Sequence, residues 1–286
     1  MAGQSKAIKT RIKSVKNTKK ITKAMELVSA SKMRRVVART VSARPYIEYA
    51  LEIVHLIKNP SALHPLLTAP TTDGKVLLLV ITSDKGLCGA YNAQIIRVVS
   101  AFTDTVDQQC DVITIGKKGA VALKASPCTI VASFEQKFCS NVTDAHVVSK
   151  YAIDAFIKGK YSRVLVAHTE YISALNQQAH ISQLLPFVDA SLDSGPTAKN
   201  ALEFIFEPNA ENILNVVIEK IIHTRLYGMV IESVASEESA RMIAMKNASD
   251  AAGEMISDLS LMYNKIRQAG ITQEISEISA GMTSTH

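Results

Sequence analysis

The chain has 286 residues, 47% apolar and 20% charged, with 12 Gly and 8 Pro; these proportions exclude disordered, collagen-like and low-complexity classes, and the length is that of about two domains. The longest strongly apolar run, Val76–Ile81, is far short of the ~20 residues that cross a bilayer, and the basic start MAGQSKAIKTRIK has no apolar stretch behind it, unlike a secretory signal. The net charge of +6 is unevenly spread: residues 1–44 hold 13 Lys/Arg and one acid, Glu26, for +12, leaving −6 on the rest. This division implies an acidic partner (nucleic acid, a membrane surface or an acidic protein surface), the competing reading being a solvated helix face.

The first element is a long helix. Residues 1–44 contain no Pro and only Gly3, and apolar residues step by threes and fours through Ile8, Ile12 and Val15, then Ile21, Met25 and Val28, then Met33, Val36 and Val37. This spacing predicts helix, although the stripe keeps no single heptad. Pro45 is expected to kink it or open a new turn. Tyr49, Ile53, Leu56 and Ile57 continue it to Lys58, and Asn59-Pro60 ends it.

The middle of the chain, 75–206, alternates strand and helix. Lys75–Ile81 (KVLLLVI) reads as a strand buried on both faces. Asp111–Ile115, Thr129–Ala132 and Ser162–Ala167 follow as strands, with helices over Asn92–Val106, Lys118–Lys124 and Asn141–Lys158 between them. Ala179–Leu185 and Ala201–Phe206 are candidate edge strands. Alternation of this kind predicts a mostly parallel, Rossmann-like sheet. The nucleotide fingerprints are missing, however. SDKGLCGAYN (83–92) and Gly116-Lys117-Lys118-Gly119 fit neither G-x-G-x-x-G nor G-x-x-x-x-G-K-[ST].

The last element is a second long helix. No Pro occurs from Asn209 to His286, and one 3–4 hop links Leu214, Val217, Ile221, Thr224, Gly228, Ile231, Ala235, Glu238, Met242, Met245, Ser249, Ala252, Ile256, Leu259, Tyr263 and Ile266. A seam this long is a coiled-coil signal, and at ~1.5 Å per residue the helix would run about 110 Å. Residues 208–286 carry 6 bases and 10 acids, so the basic first helix is its natural antiparallel partner. The expected organisation is thus 1–58 and 208–286 as coiled-coil helices, with 75–206 an α/β domain inserted between them.

Chemistry is sparse. The seven His are scattered, and Cys88, Cys110, Cys128 and Cys139 have no C-x-x-C spacing; they read as reduced, cytosol-facing thiols rather than a zinc set or a disulfide framework. No catalytic, cofactor or metal set stands out. Aromatic residues are too few for a base-stacking platform.

Three blocks carry a family resemblance: IKTRIKSVKNTKKITKAMELVSASKMRR (8–35), SDKGLCGAYN (83–92), and ESVASEESARMIAMKNASDAAGEMI with YNKIRQAGITQEISEI (232–256 and 263–278). Together and in this order they resemble the γ subunit of the F-type ATP synthase, over essentially the whole chain. The resemblance implies a rotating central shaft without an active site or cofactor of its own. Such a shaft couples proton flow to ATP synthesis or hydrolysis at the catalytic β subunits. The implied partners are the α and β subunits, the ε subunit and the c-subunit rotor ring, with one copy of this chain per complex and no nucleic acid. The implied location is peripheral, on the cytoplasmic face of the bacterial inner membrane. Arg267 and Gln268 match the family's catch on a β-subunit loop; Thr272 and Glu274 match positions that stabilise coupling, and Met25 a position facing the acidic β lever. Glu207 and Phe204 match the foot near the rotor ring. Ile266 and Gly270 stand where smaller or Ala-like residues are usual. The family's chloroplast branch carries a redox-active insertion that has no counterpart here, which implies no thiol regulation. Two other readings make different predictions: a nucleic-acid-binding coiled coil should bind with strong salt dependence, and a small α/β enzyme should hold a ligand in its middle domain.

Overall fold

The computed structural model describes residues 2–55, 64–68, 74–106, 108–139, 142–187 and 209–283. Helix α1 covers Ala2–His55 and continues through Pro45. Then follow β1 (Lys75–Ile81), α2 (Tyr91–Thr105), β2 (Cys110–Ile115), α3 (Lys117–Ala122), β3 (Thr129–Phe134), a short α4 (Gln136–Cys139), α5 (Val142–Ile157), β4 (Tyr161–Tyr171), β5 (Gln177–Leu185) and the 74-residue α6 (Ala210–Thr283). Asn209 caps α6, its Oδ1 accepting the Asn212 N–H at 2.8 Å. Contacts divide the chain into two units, 1–29 with 241–286, and 30–240.

The larger unit is built on a five-stranded sheet of order β3-β2-β1-β4-β5. The first four strands are mutually parallel, and β5 returns antiparallel to β4. β1 is the reason the sheet is a central layer. Leu77, Leu79 and Ile81 point into one apolar cluster with α5, with Ala50, Leu51 and Val54 of α1, and with Leu214, Ile218, Ile221, Ile222 and Leu226 of α6. Val76, Leu78 and Val80 point into the other, with Ile95 and Val99 of α2. A strand with both faces covered has no position for a polar residue, hence KVLLLVI. Gly159, at φ +71°, ends α5; its N–H donates to the Phe156 carbonyl at 2.9 Å, and the Lys160 N–H to that of Ala155 at 3.1 Å.

β4 and β5 extend the expected strands. β4 pairs with β1 only as far as Ala167, while the hairpin with β5 continues to Tyr171↔Gln177. The antiparallel partner, absent from the pattern of the strand itself, carries β4 past the end of the sheet. Residues 201–206, the other candidate edge strand, lie outside the described residues.

In the smaller unit, residues of α6 at Met245, Ser249, Ala252, Ile256, Leu259, Tyr263 and Ile266 are buried or half-buried, as the expected seam requires. The α1 side differs from its apolar pattern. Besides the half-buried Met25, its protected residues are Ser5, Ile8, Ile12, Val15, Thr22, Glu26 and Ser29. With Lys19, these keep an unbroken 3–4 step, the heptad that the apolar residues alone did not reveal. Lys19 itself lies over Gly253, where a Cβ would come within 2.8 Å of its Nζ. In the larger unit Lys32 Nζ pairs with Glu238 Oε1 at 3.4 Å. In that unit Ala50 and Val54 share an apolar cluster with Leu214, Ile218 and Leu226 of α6, so partners on α6 fall in number as those on α1 rise there, and the helices are antiparallel.

Candidate interaction surfaces

The seam of α1 mixes Ile8, Ile12 and Val15 with polar residues, and it leaves an apolar stripe outside. Ile21 and Val28 are 61% and 55% exposed, and Leu27 beside them is 61% exposed. Ile21, Met25 and Val28 stand at i, i+4 and i+7, so they share one helix face, with Met25 half-buried at its middle. The lysines and arginines of 6–23 are all exposed around the same helix, and Glu26 is tied by Lys23 at 2.9 Å. The outer surface of α1 in this unit is therefore apolar in one stripe and cationic elsewhere.

Arg267, Gln268, Thr272 and Glu274 are exposed on α6, free of the seam that Ile266 and Gly270 continue. Arg267 offers a planar fork of donors and Gln268 both donor and acceptor. The structure does not bring Met25 to this group. From the Lys19–Gly253 contact the two run in opposite directions, and at roughly 1.5 Å per residue they lie on the order of 30 Å apart along the pair. Phe204 and Glu207 lie outside the described residues.

In doubly wound sheets ligands bind where strand order reverses, beyond the carboxyl ends of the strands. Here that point lies between β1 and β4, and the chain itself fills it. Tyr91 is 3% exposed, with the Glu237 carboxylate near it; burial and then that charge hold its phenol well above the usual range. α6 crosses the same place. The Thr169 N–H donates to Ser233 Oγ at 3.1 Å, Ser236 Oγ donates to the Thr169 carbonyl at 3.4 Å, and Ser239 Oγ donates to the Ala174 carbonyl at 2.7 Å. Three serines spaced i, i+3 and i+6 thus fix α6 to the overhanging β4–β5 hairpin. These serines make fixed hydrogen bonds. A row of serines at helical spacing was the available signal.

The two Gly-containing motifs are structural in the same way. Asp84 accepts N–H groups from Lys117, Gln136 and Lys137 at 3.2, 3.0 and 3.1 Å. Asn92 closes the loop from the other side, accepting the Ser83 N–H at 3.0 Å and donating to Cys88 Sγ at 3.2 Å. Gly116 and Gly119 permit close approach to β1. A Cβ on either would meet Thr82 at 2.1 Å and 2.7 Å respectively, and Gly116 has φ +107°. Lys117 points to Glu135, Nζ to Oε1 2.9 Å, which raises its pKa. Among the described residues there is no cluster of three metal-ligating side chains, and no helix long and apolar enough to cross a membrane.

Comparison with known proteins agrees with this architecture. Residues 4–284 match the family described as ATP synthase. The ATP synthase gamma chain of Delftia acidovorans is 39% identical over 287 residues, covering 96% of this chain and 97% of the relative. That of Polynucleobacter asymbioticus is 39% identical, covering 97% and 98%. Among solved structures, a chain of the Tetrahymena thermophila mitochondrial ATP synthase central stalk and c-ring is 25% identical with TM-score 0.61, covering 80% of this chain and 99% of that one. A chain of the Euglena gracilis mitochondrial ATP synthase (OSCP, F1 and c-ring) is 20% identical with TM-score 0.71, covering 100% and 96%; at that identity the likeness is one of fold.

Proposed function

This chain belongs to the ATP synthase gamma chain family, and from that membership we infer how its surfaces are used. It is the non-catalytic central-stalk rotor subunit, coupling proton flow through the membrane rotor to ATP synthesis or hydrolysis on the β subunits. The observation that carries the mechanism is the outward apolar stripe of α1: a mixed apolar and polar seam within, Ile21 and Val28 outside. An apolar stripe with cations around it fits a surrounding partner that supplies apolar contacts and carboxylates.

On this reading 1–58 and 208–286 are the shaft helices and 75–206 the globular domain. The α and β subunits enclose the shaft, and the globular domain meets the ε subunit and the c-ring. Each catalytic β site faces a different side of an asymmetric shaft. Rotation then changes which β conformation the shaft binds best, and a ligand-affinity change follows by linkage. Exposed ion pairs contribute only ~0–1 kcal/mol each, so the cations of α1 attract acidic β segments without locking them. Met25 sits in the apolar stripe facing those segments; a lysine there would add an ion pair and impair coupling. Arg267 and Gln268 form the catch near the end of α6, with Thr272 and Glu274 supporting it. Phe204 and Glu207 serve the foot on the rotor ring. Placement is peripheral, at the cytoplasmic face of a bacterial inner membrane, and held there through the rotor ring; the bacterial relatives support this.

Reconstitution tests the proposal. Purified α and β subunits from the same source are mixed with and without this chain, and ATP hydrolysis and complex mass are followed. A complex containing one copy and a large gain in turnover is expected. No complex and no gain would overturn it, and salt-dependent nucleic-acid binding by the chain alone would redirect the reading to the basic arm.

A further inference from the structure

β2 and β3 run parallel, with Asp111 opposite Thr129. That register sets Cys110, the first residue of β2, beside Cys128, the residue before β3. Both side chains pack on one face of the sheet, against the cluster that also takes Val112 and Ile130. Both are half-buried free thiols, so both retain access to solvent. Neighbouring strands lie about 4.8 Å apart, inside the ~4.4–6.8 Å range of Cα separations that a disulfide bridges. Burial, and then the Cys128 sulfur, hold the Cys110 thiol above its ordinary pKa. Cys110 is accordingly the member held protonated. Cys88 differs on each count: it is 2% exposed and engaged by Asn92.

We propose that Cys110 and Cys128 form a dithiol modification site, which a peroxide converts into an intrachain disulfide between β2 and β3. The Cys128 thiolate attacks one oxygen of hydrogen peroxide, the O–O bond breaks, and Cys128 becomes a sulfenic acid. The hydroxide released takes up the proton Cys128 had lost. The Cys110 sulfur then attacks the Cys128 sulfur, the S–S bond forms and the S–O bond breaks. The second hydroxide leaves with the Cys110 proton as water. Two thiols and one peroxide give one disulfide and two waters; the sulfurs lose two electrons and the peroxide gains them. The product ties β3, an edge strand, to its neighbour in the sheet. The site depends on strand register and needs no insertion. It is independent of the rotor role proposed above.

The test uses the full chain. Reduced protein is treated with hydrogen peroxide, quenched by alkylation, digested without reductant and analysed by mass spectrometry. The expected result is one cross-linked peptide pair containing Cys110 and Cys128, lighter than the sum of its parts by two hydrogen atoms, with the loss of two alkylatable thiols reversed by a reductant. Cys110→Ser should abolish the cross-link and leave Cys128 to stop at sulfenic or sulfinic acid; Cys128→Ser should leave Cys110 alkylatable. A wild-type chain that accumulates oxidised Cys128 without the cross-link, or that forms disulfides only between chains, would overturn the proposal.

Discussion

Asp84 accepts the backbone N–H of Gln136 at 3.0 Å, joining the turn after β1 to the start of α4, 52 residues further along the chain. The same carboxylate takes the N–H groups of Lys117 and Lys137. Three donors converge on one charge, so one substitution loosens three segments. Asp84→Asn keeps the size but replaces one acceptor by a donor. It should cost about 1–3 kcal/mol, read as a lower urea midpoint at pH 7. An unchanged midpoint would mean that the three N–H groups find water at no cost.

The outward stripe on α1 separates folding from assembly. Ile21→Ser with Val28→Ser removes apolar surface that is in solvent already, so the isolated chain should keep its stability within about 0.5 kcal/mol. Capture by an α/β assembly should weaken, seen as a faster dissociation rate. Ile8→Ala, a seam residue 9% exposed, should do the reverse and lower stability by about 2 kcal/mol. Equal effects of both changes on folding would show that the stripe is not an outer surface.

Arg267 and Gln268 offer a similar separation. Both are exposed, so Arg267→Ala and Gln268→Ala should leave the melting temperature of the chain unchanged. ATP-driven turnover of the reconstituted complex should fall, and more for Arg267, whose fork makes the stronger contact. Wild-type turnover from the double variant would remove these residues from the coupling path.

His168 should govern the acid limb of stability. Its ring meets that of His180 at 4.3 Å between centroids, its Nε2 lies 3.1 Å from Ser182 Oγ, and Arg225 faces it from α6. Burial first, then the charges of His180 and Arg225, lower its pKa from 6.5 to about 3. Between those values the unfolded chain binds a proton that the folded chain refuses. Stability is therefore whole above pH 6.5 and falls as pH drops below it, by on the order of 3 kcal/mol at pH 4. His168→Gln should flatten this part of the urea-midpoint profile. An identical slope in the variant would assign the acid limb to other groups.

What the sequence disclosed follows from how each element is stabilised. β1 and the 245–266 part of α6 are held by apolar burial, and apolar periodicity reveals them directly. The α1 heptad is held partly by Thr22, Glu26 and Ser29, residues that a hydrophobicity pattern scores as outside. It also passes over Ile21 and Val28, which such a pattern scores as inside. The hydrogen bonds of Ser233, Ser236 and Ser239 to the hairpin were hidden for a related reason. Serine reads as neutral in a helix until its partner, here the backbone of β4 and the following turn, is known. The pairing of Cys110 with Cys128 required the register of two strands, which spacing along the chain does not encode. Arg267, Gln268, Thr272 and Glu274 are exposed on α6, while Met25 lies on the other helix.

The outward stripe also bears on how many copies a cell can keep. A copy that finds no ring holds Ile21, Leu27 and Val28 in water, forgoing roughly 25 cal/mol for each Å² that a partner would cover. That patch is the kind that chaperones grip and that drives aggregation. Surplus chains thus carry their own mark for removal, and the mark disappears on assembly. Supply is matched to the number of rings by the same residues that fit the shaft to its bearing.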